Sequence, residues 1–275
     1  MENIREKVKQ SAEYLLGKIK NKPAIGLILG SGLGELANEI EEAVHIPYEQ
    51  IPNFPVSTVE GHAGQLVIGT LHGKNVVAMQ GRFHYYEGYT MQEVTFPVRV
   101  MKEIGVELIV VTNACGGMNK NFAPGDLMII TDHLNMTGDN PLIGPNVEEW
   151  GPRFPDMSHA YTPELVEFVE ETANRLDIKV QKGVYAGITG PTYMTGAELI
   201  MLRNLGGDVI GMSTVPEVIV ARHAGMKVIG ISCITDMAIG EEIAGITHEE
   251  VVAVANKTKP KFIKLVKEIV ANVNV

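Results

Sequence analysis

The chain has 275 residues, 45% of them hydrophobic, and a formal net charge of −10. That length bounds the fold to one large α/β domain or two small ones, and the acidic balance excludes a general binder of nucleic acid. No stretch reaches the roughly 18–20 uninterrupted apolar residues of a membrane helix, and residues 1–20 alternate charged and apolar side chains, unlike a signal peptide, so a cytoplasmic location is expected.

In chain order, residues 4–19 read as an amphipathic helix and 24–29 (AIGLIL) as a short buried strand ending in glycines. Residues 65–70 and 76–79 read as paired strands about a His72-Gly73-Lys74-Asn75 turn. A helix over 90–104 tolerates Pro97, and 108–112 and 127–131 are further strands. Residues 135–161, rich in Gly, Pro and Asn, form a loop long enough to be functional or disordered. A helix over 162–176 opens at Thr162 and Pro163. Strands at 180–188, 209–212 and 228–234 then alternate with helices at 195–205, 216–223 and 248–273. The alternation predicts one α/β domain over 1–275, its sheet covered by helices on both faces. Cys115 and Cys233 lie in apolar runs without CxxC spacing, so free buried thiols are expected, not a disulfide or a metal site.

Six segments, most of them following a strand, carry candidate chemistry. Gly30-Ser31-Gly32-Leu33-Gly34 lets backbone N–H groups approach an anion at a strand-to-helix turn. It is no dinucleotide fingerprint, because the third glycine would fall at Glu35, and no P-loop follows. Gly81-Arg82-Phe83-His84-Tyr85-Tyr86-Glu87-Gly88-Tyr89 gathers Arg, His, aromatics and an acid; in extended chain Arg82, His84 and Tyr86 share a side. His62, between glycines, is a weaker candidate. Thr112-Asn113-Ala114-Cys115-Gly116-Gly117 ends a strand where ligands bind in open α/β sheets. At Ser213-Thr214-Val215-Pro216-Glu217 helix capping is a sufficient explanation, and anion binding is compatible with it. Gly190-Pro191-Thr192-Tyr193-Met194-Thr195 is the fifth segment. The sixth contains Thr235 and Asp236 at a strand end, where a half-buried carboxylate has a partner or a raised pKa.

Rival chemistries lack their signatures. Neither Ser213 nor Ser232 sits in GxSxG, and the eight histidines show no HExxH or HxH spacing.

Taken in order, GSGLG at 30–34, STVEGHAGQLVIG at 57–69, GRFHYYEGY at 81–89, VTNACGGMN at 111–119, GPRFPDMSHAY at 151–161, GPTY at 190–193, GMSTVPEVIVARHAG at 211–225 and THEEV at 247–251 resemble the trimeric purine nucleoside phosphorylases. They resemble the methylthioadenosine phosphorylases more distantly. The resemblance implies a mixed sheet closed into a distorted barrel and flanked by helices, and a homotrimer. It implies cleavage of a purine nucleoside by inorganic phosphate as co-substrate, with no metal or organic cofactor. Phosphate would meet Ser31, Arg82, His84, the backbone at Ala114, and Ser213. Ribose would meet Tyr86, Tyr193, Met212 and His248, with Phe154 supplied by a neighbouring subunit. The base would meet Met194, Thr235 and Asp236, and His84 and Asp236 would be catalytic. The alternatives are a methylthioadenosine phosphorylase and a non-catalytic nucleoside- or phosphate-binding protein.

Two positions depart from the pattern of 6-oxopurine enzymes, which carry Glu where this chain has Met194 and Asn where it has Asp236. An ionised Asp only accepts hydrogen bonds, which suits a 6-amino group and a protonated N7. A base preference shifted toward 6-aminopurines is therefore expected. Glu198, one helical turn past Met194, is a candidate substitute for the missing Glu or else a solvated helix residue.

Overall fold

The computed structural model describes residues 4–58, 63–241 and 247–275; His62 lies outside the described residues. All the elements expected from the sequence are present. Helix α1 (Ile4–Leu16) stops short of its expected end, at Gly17, and is followed by strand β1 (Ile25–Leu29). Strand β2 (Glu41–Pro47) was not foreseen. Strands β3 (Gln65–Leu71) and β4 (Lys74–Gln80) form the expected hairpin, and helix α2 (Met91–Glu103) carries Pro97 inside it. Strands β5 (Leu108–Gly117) and β6 (Leu127–Asn135) run well past their apolar cores. Then come α3 (Pro163–Arg175), β7 (Val180–Gly187), α4 (Gly196–Asn204), β8 (Val209–Gly211), α5 (Val215–His223), β9 (Lys227–Met237) and α6 (His248–Asn272).

Among the described residues nine strands belong to one mixed sheet, in the order β2-β3-β4-β1-β5-β8-β7-β6-β9, and β9 returns to pair with β5. That pairing closes β5, β8, β7, β6 and β9 into a small barrel. β1, β4, β3 and β2 extend from it as an open wing. The β5–β9 ladder is parallel and long, running from Leu108 opposite Lys227 to Gly117 opposite Met237. Among the described residues strand β2 forms an edge of the sheet and pairs only with β3. Its sequence, EEAVHIP, places Glu41, Glu42 and His45 in solvent and ends in proline. Such an edge resists further pairing, and the same features hide it from a hydrophobic-period reading.

Burial follows the layers. Val110, Ile129, Ile231 and Cys233 pack under α6 with Phe262, Leu265 and Ile269, while Ile109, Val111 and Val228 pack toward α2 and α5. Both cysteines are free and buried, as expected. Among the described residues no helix is long and apolar enough to cross a membrane.

The long loop over 135–161 is tied down by side chains. Asn146 donates to the Gly151 carbonyl (3.0 Å), so its side-chain oxygen accepts from His223 Nε2 (3.0 Å). His223 Nδ1 then accepts from Arg99 (2.8 Å), whose guanidinium lies 4.7 Å from the centre of the Trp150 ring. Burial and the facing Arg99 keep the His223 pKa below its usual value, consistent with this neutral tautomer.

Candidate active site

One cavity of about 720 Å³ opens where the ends of β1, β4, β5, β8 and β9 meet the start of α6. Its wall includes Ser31, Arg82, His84, Tyr86, Ala114, Tyr193, Met194, Met212, Ser213, Thr235, Asp236 and His248. The sequence segments, up to more than two hundred residues apart, thus converge on one space. Phe154 is not part of this wall; it stands 87% exposed on the long loop, beside Arg153.

One end of the cavity is polar and interlocked. Gly30 follows β1, and a side chain there would collide with the backbone of Thr112 and Asn113, at 2.8–2.9 Å. Glycine therefore lets the turn bearing Ser31 lie against β5. The Gly30 N–H donates to the Thr112 hydroxyl (3.2 Å), which donates to Ile28 O (2.9 Å). The expected strand-to-helix turn is different in form: a short 3-10 turn, Gly34–Glu39, follows the glycines. The glycines are thus not followed by an α-helix N-terminus, and Arg82 brings a positive charge to the same wall.

Arg82 is 1% exposed. Its Nε donates to Glu217 Oε1 (2.9 Å), and another guanidinium nitrogen donates to the Thr112 carbonyl. The His84 ring stacks on Tyr86, with centroids 4.7 Å apart and planes 17° apart. His84 Nδ1 lies 3.1 Å from Glu87 Oε1, which also accepts from the His84 backbone N–H (2.7 Å). Burial alone would raise the Glu87 carboxyl, but hydrogen bonds from His84 and Thr58 bring it down to about 2. An ionised Glu87 fixes a proton on Nδ1 and turns Nε2 away from it. Phe83, by contrast, points into the core against Tyr48 (4.9 Å), which anchors the segment that carries Arg82 and His84.

Helix capping does not account for Ser213 and Thr214. Thr214 precedes α5 but makes no side-chain cap hydrogen bond. It adopts φ 74°, ψ −56°, and the Val215 N–H closes a tight γ-turn on Ser213 O at 2.8 Å. This is a strained conformation for a β-branched residue. It is held by Asn113 Nδ2, which donates to the Thr214 hydroxyl (2.9 Å), and by the Ser213–Thr214 hydroxyl contact at 3.1 Å. Tyr185, buried inside the barrel, accepts from the Ser213 N–H (3.3 Å), and burial pushes its pKa up to about 12.

The opposite end is apolar but for one carboxyl. Met194, Met212, Leu199, Ile188, Ile210 and Ala238 form one cluster there. Asp236 arrives through a break in the β5–β9 register: Cys115 pairs with Ile234, but Gly116 pairs with Asp236. Thr235 is the extra residue of this bulge, a device that re-aims side chains beside functional sites. It donates to Cys115 O (3.2 Å) and lies 2.9 Å from Asp236 Oδ1. A methyl at Gly116 would sit 3.1 Å from Asp236 Oδ2, so the carboxyl lies flat on β5. Burial raises the Asp236 pKa, and the Thr235 hydroxyl only partly offsets this.

Glu198 is not at this end. Its carboxylate accepts from Thr195 N–H (2.8 Å) and Oγ1 (2.9 Å), while Thr195 Oγ1 accepts from Glu198 N–H (3.3 Å). It closes the N-terminus of α4 as a capping box, so it does not substitute for a base-binding Glu. Sequence reasoning placed Asn113 in a candidate segment without giving it a role, and passed over Glu217 as the partner of Arg82 and Glu250, Val251 and Val254, which α6 adds beside His248. Only the tertiary pairing reveals these roles.

Residues 24–271 match the model of the phosphorylase superfamily. A purine nucleoside phosphorylase 1 of Geobacillus stearothermophilus is 60% identical over 98% of each chain. Two solved structures superpose with TM-scores of 0.94. One is purine nucleoside phosphorylase isoform 2 of Schistosoma mansoni with cytosine and ribose-1-phosphate, 46% identical over 98% of this chain and 97% of that one. The other is a purine nucleoside phosphorylase of the same organism with adenosine, 42% identical over 98% of both. With the closed barrel and the converged cavity, these likenesses settle the family: the chain belongs to the phosphorylase superfamily, among the purine nucleoside phosphorylases.

Proposed function

We infer that the cavity seats inorganic phosphate at its polar end and a purine nucleoside across it, with the base against Asp236. The chain is a pentosyltransferase that cleaves purine nucleosides with phosphate, giving free base and (2-deoxy)ribose 1-phosphate in purine salvage. The observation that carries the seating is the convergence of Ser31, Arg82, His84, Ala114 and Ser213 on one wall, with Asp236 in the same cavity. In this reading Arg82, His84 and the hydroxyls of Ser31 and Ser213 hold the phosphate, with the Ala114 backbone. Tyr86, Tyr193 and Met212 flank the ribose, and His248 meets its 5′-hydroxyl. Met194, Thr235 and Asp236 surround the base.

The chemistry follows from the charges. Phosphate is a weak nucleophile, so the glycosidic bond lengthens first and the sugar gains oxocarbenium character. The bound anion stabilises that cation, and Asp236 passes a proton to N7 of the departing base. Burial raises its pKa, the direction that suits a carboxyl acting as proton donor. Positioning and preorganised electrostatics supply most of the rate. The reaction so written uses no metal or organic cofactor.

The same reading makes the protein a cytoplasmic homotrimer in which Phe154, exposed here, closes the ribose site of a neighbouring subunit. It also shifts the base preference toward 6-aminopurines. After proton transfer Asp236 accepts from N7–H and from a 6-amino group, while Met194 offers nothing to N1–H or a 2-amino group.

The test is phosphate-dependent base release from inosine, guanosine, adenosine and methylthioadenosine, with ribose 1-phosphate quantified. Stoichiometric sugar phosphate with adenosine ahead supports both parts. Dominant inosine and guanosine reject the base preference alone, and dominant methylthioadenosine rejects the 5′-hydroxyl reading. Base release without phosphate rejects the seating.

A further inference from the structure

Arg82 is the most deeply buried cation in the wall of the cavity, and its charge has a counterpart that does not touch the cavity. Glu217 is 3% exposed, lies in the first turn of α5 and is absent from the cavity wall. Its Oε1 receives Arg82 Nε at 2.9 Å; its Oε2, also buried, makes no hydrogen bond among the described residues. Thr214, the residue before α5, makes no side-chain cap hydrogen bond, and among the described residues the ion-pair partner of this buried carboxylate is Arg82.

We propose that Glu217 is a positioning residue for phosphate, fixing the plane of the Arg82 guanidinium from behind and cancelling part of its charge. The proposal rests on the phosphate site described above. A guanidinium gripped at Nε by Glu217 and at a terminal nitrogen by the Thr112 carbonyl has its plane set before any anion arrives. That preorganisation favours binding. The charge works in the opposite sense. An ion pair already satisfied by a carboxylate attracts phosphate less than a lone Arg would, so Glu217 keeps phosphate and sugar phosphate from binding too tightly for turnover.

Two substitutions separate geometry from charge. Glu217→Asp keeps the charge and withdraws it by one methylene, so the KM for phosphate rises about tenfold while that for nucleoside stays within about twofold. Glu217→Gln keeps an acceptor for Nε and the Thr112 contact but removes the charge. The KM for phosphate then falls several-fold, kcat falls with slower release of sugar phosphate, and added phosphate raises Tm more than in the unchanged protein. A merely structural glutamate would move both KM values together, or neither, in the two variants; either result overturns the proposal. Should Glu217→Gln not fold, the selective rise in Glu217→Asp decides alone. Ser31→Ala and Ser213→Ala test the underlying site. If they leave the KM for phosphate unchanged, the site reading itself fails. If they raise it while the Glu217 variants do not, only the role of Glu217 fails.

Discussion

The two ends of the cavity are built in different ways. At the polar end most side chains are held by a second residue: Arg82 by Glu217, His84 by Glu87 and Thr214 by Asn113, while Tyr185 holds the Ser213 backbone. At the other end one carboxyl, braced by Thr235, stands among methionines and aliphatic side chains. An interlocked polar network fails as a unit when one member is removed. An apolar pocket with one hydrogen-bonding group changes its choice of ligand when that group changes. In the proposed reading the anion is therefore held at the interlocked end, and the base is both protonated and selected at the end that rests on Asp236.

That contrast gives graded predictions. Arg82→Met breaks the network at its centre and strands Glu217 without its cation. Turnover is expected to fall about 10²–10³-fold, and stability by about 3–5 kcal/mol, the cost of orphaning a buried ion; steady-state kinetics and urea unfolding measure the two. Asp236→Asn is next. Reversing one buried hydrogen bond is worth about 1–3 kcal/mol, so the adenosine-to-inosine ratio of kcat/KM falls by roughly ten- to hundredfold. The same change stabilises the free protein at neutral pH. The folded pKa of Asp236 lies above its unfolded one, so the cost of ionising it grows as pH rises above the unfolded value and is complete above the folded one. The gain in Tm is accordingly absent below about pH 4.

Glu87→Gln is smaller. The Glu87 pKa falls from 4.5 to about 2 on folding, so its contribution is complete above about pH 4.5 and disappears as pH falls toward 2. After allowance for screening it is worth about 1–2 kcal/mol. The variant unfolds more easily at pH 7 but matches the parent near pH 2, and its activity profile shifts because His84 loses the group that sets its tautomer. Smallest is Glu198→Ala. It loses a helix cap and a little thermal stability, and leaves the base ratio within about twofold; a larger change in that ratio would return Glu198 to the base site.

Much of this could be read from the sequence, for identifiable reasons. Apolar runs such as LILG, VVAMQG and LIVVTNACGG mark strands, and the candidate site residues cluster where such runs end, so Ser31, Arg82, His84 and Asp236 were accessible. Edge strand β2 was not, because Glu41, Glu42, His45 and Pro47 erase its pattern. The extra residue at Thr235 that turns Asp236 into the cavity depends on a register between strands 120 positions apart. The Arg82–Glu217 pair spans 135 positions, and Glu217 there looked like an ordinary helix-opening acid. Local chemistry is written locally; what orients it is not.

The independence of the two ends is the central claim, and one set of measurements tests it most directly. The KM for phosphate and the adenosine-to-inosine ratio of kcat/KM are determined for the unchanged protein and for Asp236→Asn under one set of conditions. The account predicts that the ratio falls at least tenfold while the KM for phosphate stays within about twofold. A ratio that does not move, or a KM for phosphate that moves with it, would contradict the account.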